Sequence, residues 1–366
     1  MKILLLTNYD LGLYQFRREL IEELLKSHAV YISLPYGELV EPLKEMGCQF
    51  IDTPLERRGM NPFRDGKLFL TYLKLFGQVK PDLVITYTIK PNIYGGFAAR
   101  IAGIPYAVNI TGLGTAFQKK GMLKKLVTAM YKLGCKKAKV VFLENAENRQ
   151  IFLDEHIVRE QQTCLLNGAG VNLEHYKAVE YPAGDETKFL YIGRVMKEKG
   201  IDELFAAMRK LVAEGHACSL DVVGMYEENY KETIAHGESE GWLRYHGYQN
   251  DVRPFIASCH CFVLPSWHEG MANTNLECAA SGRPVITSNI HGCLEAVEDG
   301  VTGFLCEKQN AESLYAVMKR FCRLPIEQRE IMGLAGRKRM EAVFDKKKVV
   351  EETIRHLPVY YGEPEG

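Results

Sequence analysis

Between Lys2 and Leu305 the chain alternates short apolar runs with stretches of helical periodicity, and this alternation is its strongest constraint. Parallel strands need long crossover connections and bury both faces, so the pattern calls for parallel sheets joined by helices. Strands are expected near Lys2–Thr7, Val30–Leu34, Gln49–Asp52, Leu83–Tyr87, Tyr106–Ile110, Val140–Leu143 and Thr163–Leu166. Helices fill the intervals, among them Tyr14–Lys26 and Lys67–Gln78. Asn167-Gly168 closes this series, and the polar stretch from Glu180 to Glu186 reads as a linker. Strands then resume at Lys188–Ile192, Ser219–Val223, Leu243–His246, Cys261–Leu264, Pro284–Thr287 and Gly303–Leu305. From Glu327 to Leu357 the pattern is helical, with a pause at Phe344-Asp345. The expectation is two Rossmann-like α/β domains, 1–182 and 183–344, with 345–366 a helix and tail packing back on the first. Open sheets of this kind take ligands beyond the carboxyl ends of their strands, so the active site is expected in a cleft between facing domains.

A length of 366 residues suits two such domains rather than one. No apolar run reaches the roughly 18 residues of a membrane span. The first apolar run meets Asn8, Tyr9 and Asp10 rather than a small-residue cleavage site, and reads as a strand, not a signal peptide. Ten cysteines are scattered from Cys48 to Cys322, several in apolar strands, which fits buried thiols in a reducing, cytoplasmic compartment. In Cys259-His260-Cys261 strand alternation points the histidine away from both thiols, so no metal site is expected there. Zero net charge hides an asymmetry: residues 1–182 hold 24 Lys+Arg against 18 Asp+Glu, and residues 183–366 hold 22 against 28. A basic half beside an acidic one implies that one half meets an anionic surface or substrate.

The loop after Cys261–Leu264 reads Ser266-Trp267-His268-Glu269-Gly270-Met271-Ala272-Asn273-Thr274-Asn275-Leu276-Glu277 and enters a helix ending near Ser281-Gly282. At helical rise the two carboxylates lie about 12 Å apart along the axis, roughly the reach of a sugar-diphosphoribose. Gly270 lets backbone approach a ligand, and the unpaired N–H groups of a helix start suit a diphosphate. Taken alone, Glu269 reads equally well as a helix-terminal acid and Glu277 as a solvated face. Gly193-Arg194-Val195 and Glu198-Lys199-Gly200 follow the first strand of the same half, where a phosphate-binding turn belongs. Alone, that Arg and Lys would be surface charges; both features in one half argue for a site.

Together these residues resemble the retaining glycosyltransferases of family 4, which have the GT-B fold. The likeness covers nearly the whole chain and rests on Gly193-Arg194, Lys199-Gly200, the Glu269…Glu277 pair, and Ser281-Gly282-Arg283-Pro284-Val285-Ile286 followed by Gly292 and Glu295. It implies that Arg194 and Lys199 neutralise the donor diphosphate, Glu277 holds the ribose and Glu269 contacts the transferred sugar. It further implies retention of configuration, no metal, and a diphosphate leaving group that acts as base towards the acceptor hydroxyl. Catalytic roles thus fall to Arg194, Lys199 and Glu269. Donor contacts fall to Gly12, Gly193, Arg194, Lys199, Gly270, Met271, Ala272, Asn273 and Glu277. The first half resembles bacterial enzymes that lengthen lipid-linked oligosaccharides for capsule, O-antigen or protein glycosylation, through Tyr14-Gln15-Phe16-Arg17 and Gly112-Leu113-Gly114. Many relatives place a His where this chain reads Asn109-Ile110-Thr111-Gly112, leaving Asn109 and Thr111 as its substitutes. Gly12 is equally a plain strand-to-helix glycine, and Gly224 is first a turn glycine. Tyr245-His246-Gly247-Tyr248 stands where relatives hold the nucleobase through backbone.

From Gln118 to Lys139 there are eight lysines and no acid, with Met122, Leu123, Leu126, Val127, Met130 and Leu133 at helical spacing. This is a basic amphipathic helix, either an ordinary helix with a solvated lysine face or a surface for anionic lipid or the acceptor pyrophosphate. Arg57-Arg58 and Phe63-Arg64 are expected on the same surface. The sequence therefore predicts transfer from a nucleotide sugar, a UDP-hexose or UDP-N-acetylhexosamine, to a polyprenyl-diphosphate-linked saccharide. The enzyme would be peripheral on the inner face of the bacterial inner membrane, held through Lys119, Lys120, Lys124, Lys125 and Lys132, with no nucleic-acid partner. A GT-B sugar-nucleotide epimerase would need neither the lysine helix nor the Glu pair, and intact Arg194, Lys199, Glu269 and Glu277 argue against a non-catalytic binding protein.

Overall fold

The computed structural model describes residues 1–55, 61–114, 117 and 121–359. Arg57, Arg58, Lys119, Lys120 and the last residues, 360–366, lie outside the described residues. The chain forms two compact units, Met1–Ala169 with the C-terminal stretch from Lys347, and Gly170–Lys346.

The first unit is built on seven parallel strands, β1 (Lys2–Leu6), β2 (Ala29–Leu34), β3 (Gln49–Asp52), β4 (Leu83–Tyr87), β5 (Tyr106–Ile110), β6 (Val140–Leu143) and β7 (Thr163–Leu165). Their order is β3-β2-β1-β4-β5-β6-β7, so the winding reverses between β1 and β4. The second unit has six parallel strands, β8 (Thr187–Ile192), β9 (Cys218–Val223), β10 (Leu243–Tyr245), β11 (Cys261–Leu264), β12 (Val285–Ser288) and β13 (Gly303–Cys306). Their order β10-β9-β8-β11-β12-β13 reverses between β8 and β11. Both sheets are covered on two faces, which is why β4, β5, β6, β11 and β12 are buried at every residue and read as continuous apolar runs.

Seven helices matter here: α1 (Asp10–Phe16), α2 (Arg18–Leu25), α3 (Pro62–Val79), α4 (Met122–Cys135), α5 (Ile201–Ala213), α6 (Asn273–Ala280) and α7 (Lys346–His356). The single helix expected over Tyr14–Lys26 is broken at Arg17, whose backbone leaves helical geometry while its buried guanidinium pairs with Glu144. α3 starts earlier than its apolar periodicity, because Asn61 accepts from the Phe63 and Arg64 amides and Pro62 supplies the first turn.

The first unit ends at Ala169, not at the expected 182, and the stretch taken for a linker belongs to the second. Its polarity misleads because its partners are distant in sequence. Tyr181 Oη donates to His260 O at 2.7 Å, and Arg283 Nη2 donates to Glu180 O at 2.7 Å; ahead of that stretch, Val171 N–H donates to Phe344 O at 2.8 Å. α7 buries Val349, with Leu357 just beyond it, in the core of the first unit.

Candidate donor site

In the second unit the loops after β8 and β11 leave neighbouring strands at the point where the winding reverses, the usual ligand position of an open α/β sheet. Two glycines let them come together. Gly200, at φ +76°, would place a Cβ 2.1 Å from Pro265 O, so only glycine can begin α5 there. Gly224, at φ +144°, would place one 1.9 Å from Gly193 O, so the β8 and β9 loops meet backbone to backbone. Trp267 N–H donates to Glu198 O at 2.9 Å, and the indole donates to Glu203 at 3.2 Å.

This packing joins two residues that sequence reasoning put in one site. Lys199 Nζ lies 2.5 Å from Glu269 Oε1, with side chains 17% and 12% exposed. Arg194 is placed differently: its guanidinium is half exposed and 3.7 Å from Glu227 Oε2, while its carbonyl accepts from Tyr191 Oη at 2.7 Å. Glu227 was not anticipated; nothing but its place after β9 could have marked it.

The helix α6 begins only at Asn273, so Glu277 stands about one turn in and the 12 Å helical spacing from Glu269 does not apply. Residues 269–272 are instead held as a loop by Gly292, at φ +91°, whose Cβ would lie 2.7 Å from Glu269 O. Ala272 N–H donates to Gly292 O at 2.7 Å, and Gly292 N–H to Glu295 Oε2 at 2.7 Å. Gly292 and Glu295 thus shape the loop from behind. Met271 and Ala272 are buried in the core, so any contact they make with a donor runs through backbone. Ala272 offers no side-chain cap to α6. Asn273 carries a buried Oδ1 without a hydrogen-bond partner among the described residues. An uncapped helix start and an unused amide oxygen stand together beside the Glu269 loop, suited to phosphate oxygens and sugar hydroxyls respectively.

Glu277 is neither a solvated face nor an isolated acid. It is hydrogen-bonded to the Tyr176 hydroxyl, and burial pushes its carboxyl up to about 7 against the opposing pull of Lys346 and Tyr176. Tyr176 and Lys346 went unseen because both lie far from Glu277 in sequence. The quoted Arg283 is structural: fully buried, it donates to the carbonyls of Ile256, Val179, Glu180 and Ala257. The Cys259-His260-Cys261 side chains have other partners, the thiols donating to Ile256 O and Phe262 O and His260 Nδ1 accepting from Lys188 N–H at 3.1 Å. The 245–248 segment packs on the β9 loop, with Gly224 N–H donating to Gly247 O at 2.7 Å and Tyr245 Oη to Gly224 O at 2.8 Å.

In the first unit Gly12 is the third residue of α1, not a turn glycine, and a Cβ there would meet nothing within 4 Å. Asn109 is buried: its Oδ1 accepts from Arg17 at 3.4 Å and its carbonyl from Asn92 at 2.8 Å, which makes it part of an internal network with Glu144 and Tyr87. Thr111 is half buried. On α4 the buried face is Val127, Thr128, Tyr131, Gly134 and Cys135. Met122, Leu123, Leu126 and Leu133, four of the apolar positions at helical spacing, are exposed beside Lys125 and Lys132. Lys124 is taken by Glu155 at 2.6 Å. No helix among the described residues is long and apolar enough to cross a membrane.

Comparison with known proteins agrees with this architecture. Residues 174–339 match the family model described as glycosyl transferases group 1, and residues 2–145 match that described as glycosyl transferase 4-like. The chain is 26% identical over 332 residues to the N,N'-diacetylbacillosaminyl-diphospho-undecaprenol alpha-1,3-N-acetylgalactosaminyltransferase of Campylobacter jejuni, covering 86% of this chain and 87% of that one. It is 26% identical over 330 residues to the capsular polysaccharide biosynthesis glycosyltransferase CapM of Staphylococcus aureus, covering 85% of each. Among solved structures, Anabaena HepE in complex with UDP and glucose superposes with a TM-score of 0.79 at 15% identity, over 97% of this chain and 98% of that one.

Proposed function

We propose that this chain, which belongs to the group 1 glycosyl transferases, moves a hexosyl or N-acetylhexosaminyl residue from a UDP-sugar to a polyprenyl-diphosphate-linked saccharide. The observation that carries the reading is the meeting of Lys199, Glu269 and the uncapped start of α6 at the reversal point of the second sheet. Breaking the sugar–diphosphate bond leaves negative charge on the diphosphate. Lys199, Arg194 and the α6 amides stabilise that charge in a fixed array, the part a divalent metal plays in other designs. Glu269 acts on the transferred sugar, with Gly193 and Gly270 giving backbone access and Asn273 a hydroxyl acceptor. Glu277 accepts from the ribose. The departing diphosphate takes the acceptor proton on the face from which it leaves, so anomeric configuration is retained.

The acceptor class rests on the Campylobacter jejuni relative, whose name specifies a diphospho-undecaprenol substrate, and on the exposed leucine and lysine face of α4. That face suits an anionic bilayer holding such an acceptor, with the enzyme on the inner surface of the membrane. Incubation with a panel of UDP-sugars, with and without a polyprenyl-diphosphate saccharide, tests the proposal. UDP release and a mass increase of one sugar should require the acceptor. Turnover of a UDP-sugar to an isomer without acceptor, or UDP binding without turnover of any donor, would overturn it.

A further inference from the structure

The last helix returns to the first unit and brings two of its side chains to the edge strand of that sheet. Glu352 and His356 stand four residues apart on α7, hence one above the other on one face. Cys164 lies on β7, the end strand in the order of the seven. The Cys164 sulfur, a Glu352 carboxylate oxygen and a His356 ring nitrogen all lie within 4.8 Å of one another. No residue of this cluster belongs to the donor set, and the inference does not rest on the function proposed above.

We propose that Cys164, Glu352 and His356 form a site for zinc or another thiol-seeking divalent cation, which fastens α7 to the edge of the first sheet. Thiolate, imidazole and carboxylate are the donor types zinc takes, whereas magnesium and calcium call for oxygen alone. With zinc bonds of about 2.0–2.3 Å in tetrahedral array, ligand atoms stand roughly 3.3–3.6 Å apart. A spread of at most 4.8 Å therefore closes by small side-chain rotations. Two of the three can move: the Glu352 and His356 side chains are 36% and 39% exposed, while the buried Cys164 sets the anchor point. Other groups compete only weakly. Arg355 holds Glu352 at 2.6 Å, but its own side chain is 70% exposed, and pairs of that kind are readily exchanged. His356 Nδ1 also contacts the Glu352 carbonyl at 3.0 Å, a bond that orients the ring. On binding, the Cys164 S–H bond breaks, a sulfur–metal bond forms, and the proton passes to solvent. Three protein ligands leave a fourth position for water.

The whole chain, stripped with a chelator, would be titrated with cobalt(II) and then with zinc. One equivalent of cobalt should bind with a thiolate-to-cobalt absorption that zinc abolishes, and zinc should raise the unfolding temperature. Cys164→Ser should remove the absorption. His356→Ala, at an exposed position that leaves folding intact, and Glu352→Gln should each weaken binding at least about tenfold. No thiolate absorption in the native chain, absorption that persists in Cys164→Ser, or unchanged affinity in His356→Ala would each overturn the site.

Discussion

Lys199 and Glu269 stand 70 residues apart in sequence and 2.5 Å apart in space, both shielded from solvent. The free protein therefore holds Lys199, the proposed phosphate-binding cation, already paired, and a donor bound as proposed must share or displace that contact. Breaking one side of a shielded pair leaves an uncompensated charge, costing about 3–5 kcal/mol when burial is complete. Lys199→Ala should lower both turnover and stability. Unfolding curves and initial rates, measured on the same preparation, check this; full activity in a correctly folded variant would remove Lys199 from the site.

Arg194 is the cleaner test of diphosphate stabilisation, since it is half exposed and only 3.7 Å from Glu227. A charge-assisted hydrogen bond is worth roughly 1.5–3 kcal/mol, so Arg194→Ala should cut kcat at least about tenfold while the unfolding temperature holds. A loss confined to KM would assign Arg194 to ground-state binding instead.

On the proposed role of Lys199, Arg194 and the α6 amides in holding the leaving diphosphate, transfer should survive chelation. Rates are compared before and after exhaustive treatment with chelator, together with the unfolding temperature, because stripping the cluster at α7 should lower the latter alone. A strict requirement for added magnesium or manganese in the transfer assay is the contrary outcome.

Glu277 gives a pH signature whose sign follows from its environment. Its carboxyl is raised from an ordinary value near 4.5 to about 7, chiefly by burial, so between these values the folded chain holds a proton that the unfolded chain has lost. The stability this contributes is present below about 4.5 and is lost as pH rises towards about 7. A ribose hydroxyl donates best to the ionised form, so UDP affinity should rise over the same interval. Glu277→Gln should flatten both profiles, and Tyr176→Phe should shift the midpoint upwards. A UDP affinity with the same pH slope in Glu277→Gln would separate this residue from the ribose.

Much of this was legible in advance because a strand buried on both faces leaves a continuous apolar run: β11, read as Cys261–Leu264, has those bounds. Lys199 and Glu269 could be put in one candidate site from sequence because each follows a strand of the same half, although their ion pair was not expected. What sequence hid was set by partners distant along the chain. Tyr176 lies 101 residues before Glu277 in a segment to which no role was given, yet its hydroxyl faces that carboxyl. The break at Arg17 is invisible in an amphipathic pattern, because its cause, Glu144, lies 127 residues later. Likewise a lysine run without acids gave no sign that Lys124 is matched by Glu155, in the turn that ends another helix.

The α4 face sets the final prediction. Lysines alone would give membrane binding that fades within a Debye length of about 8 Å and disappears with salt. Four exposed apolar side chains, Met122, Leu123, Leu126 and Leu133, change that expectation, because burial of apolar area in the headgroup region does not depend on ionic strength. The protein should bind vesicles containing anionic lipid more tightly than neutral ones at low salt, and the part of the binding that persists at high salt should be similar for both. Each lysine near the surface contributes about 1 kcal/mol, so Lys125→Glu with Lys132→Glu should weaken binding at low salt at least about tenfold. Met122→Ser with Leu126→Ser should remove the salt-resistant part. Neither pair touches the donor residues, so UDP-sugar binding should be unchanged in both. Activity on a long-chain lipid acceptor should fall further than activity on a short soluble one. If the variant carrying all four changes still sediments with anionic vesicles, α4 faces water and the membrane assignment fails.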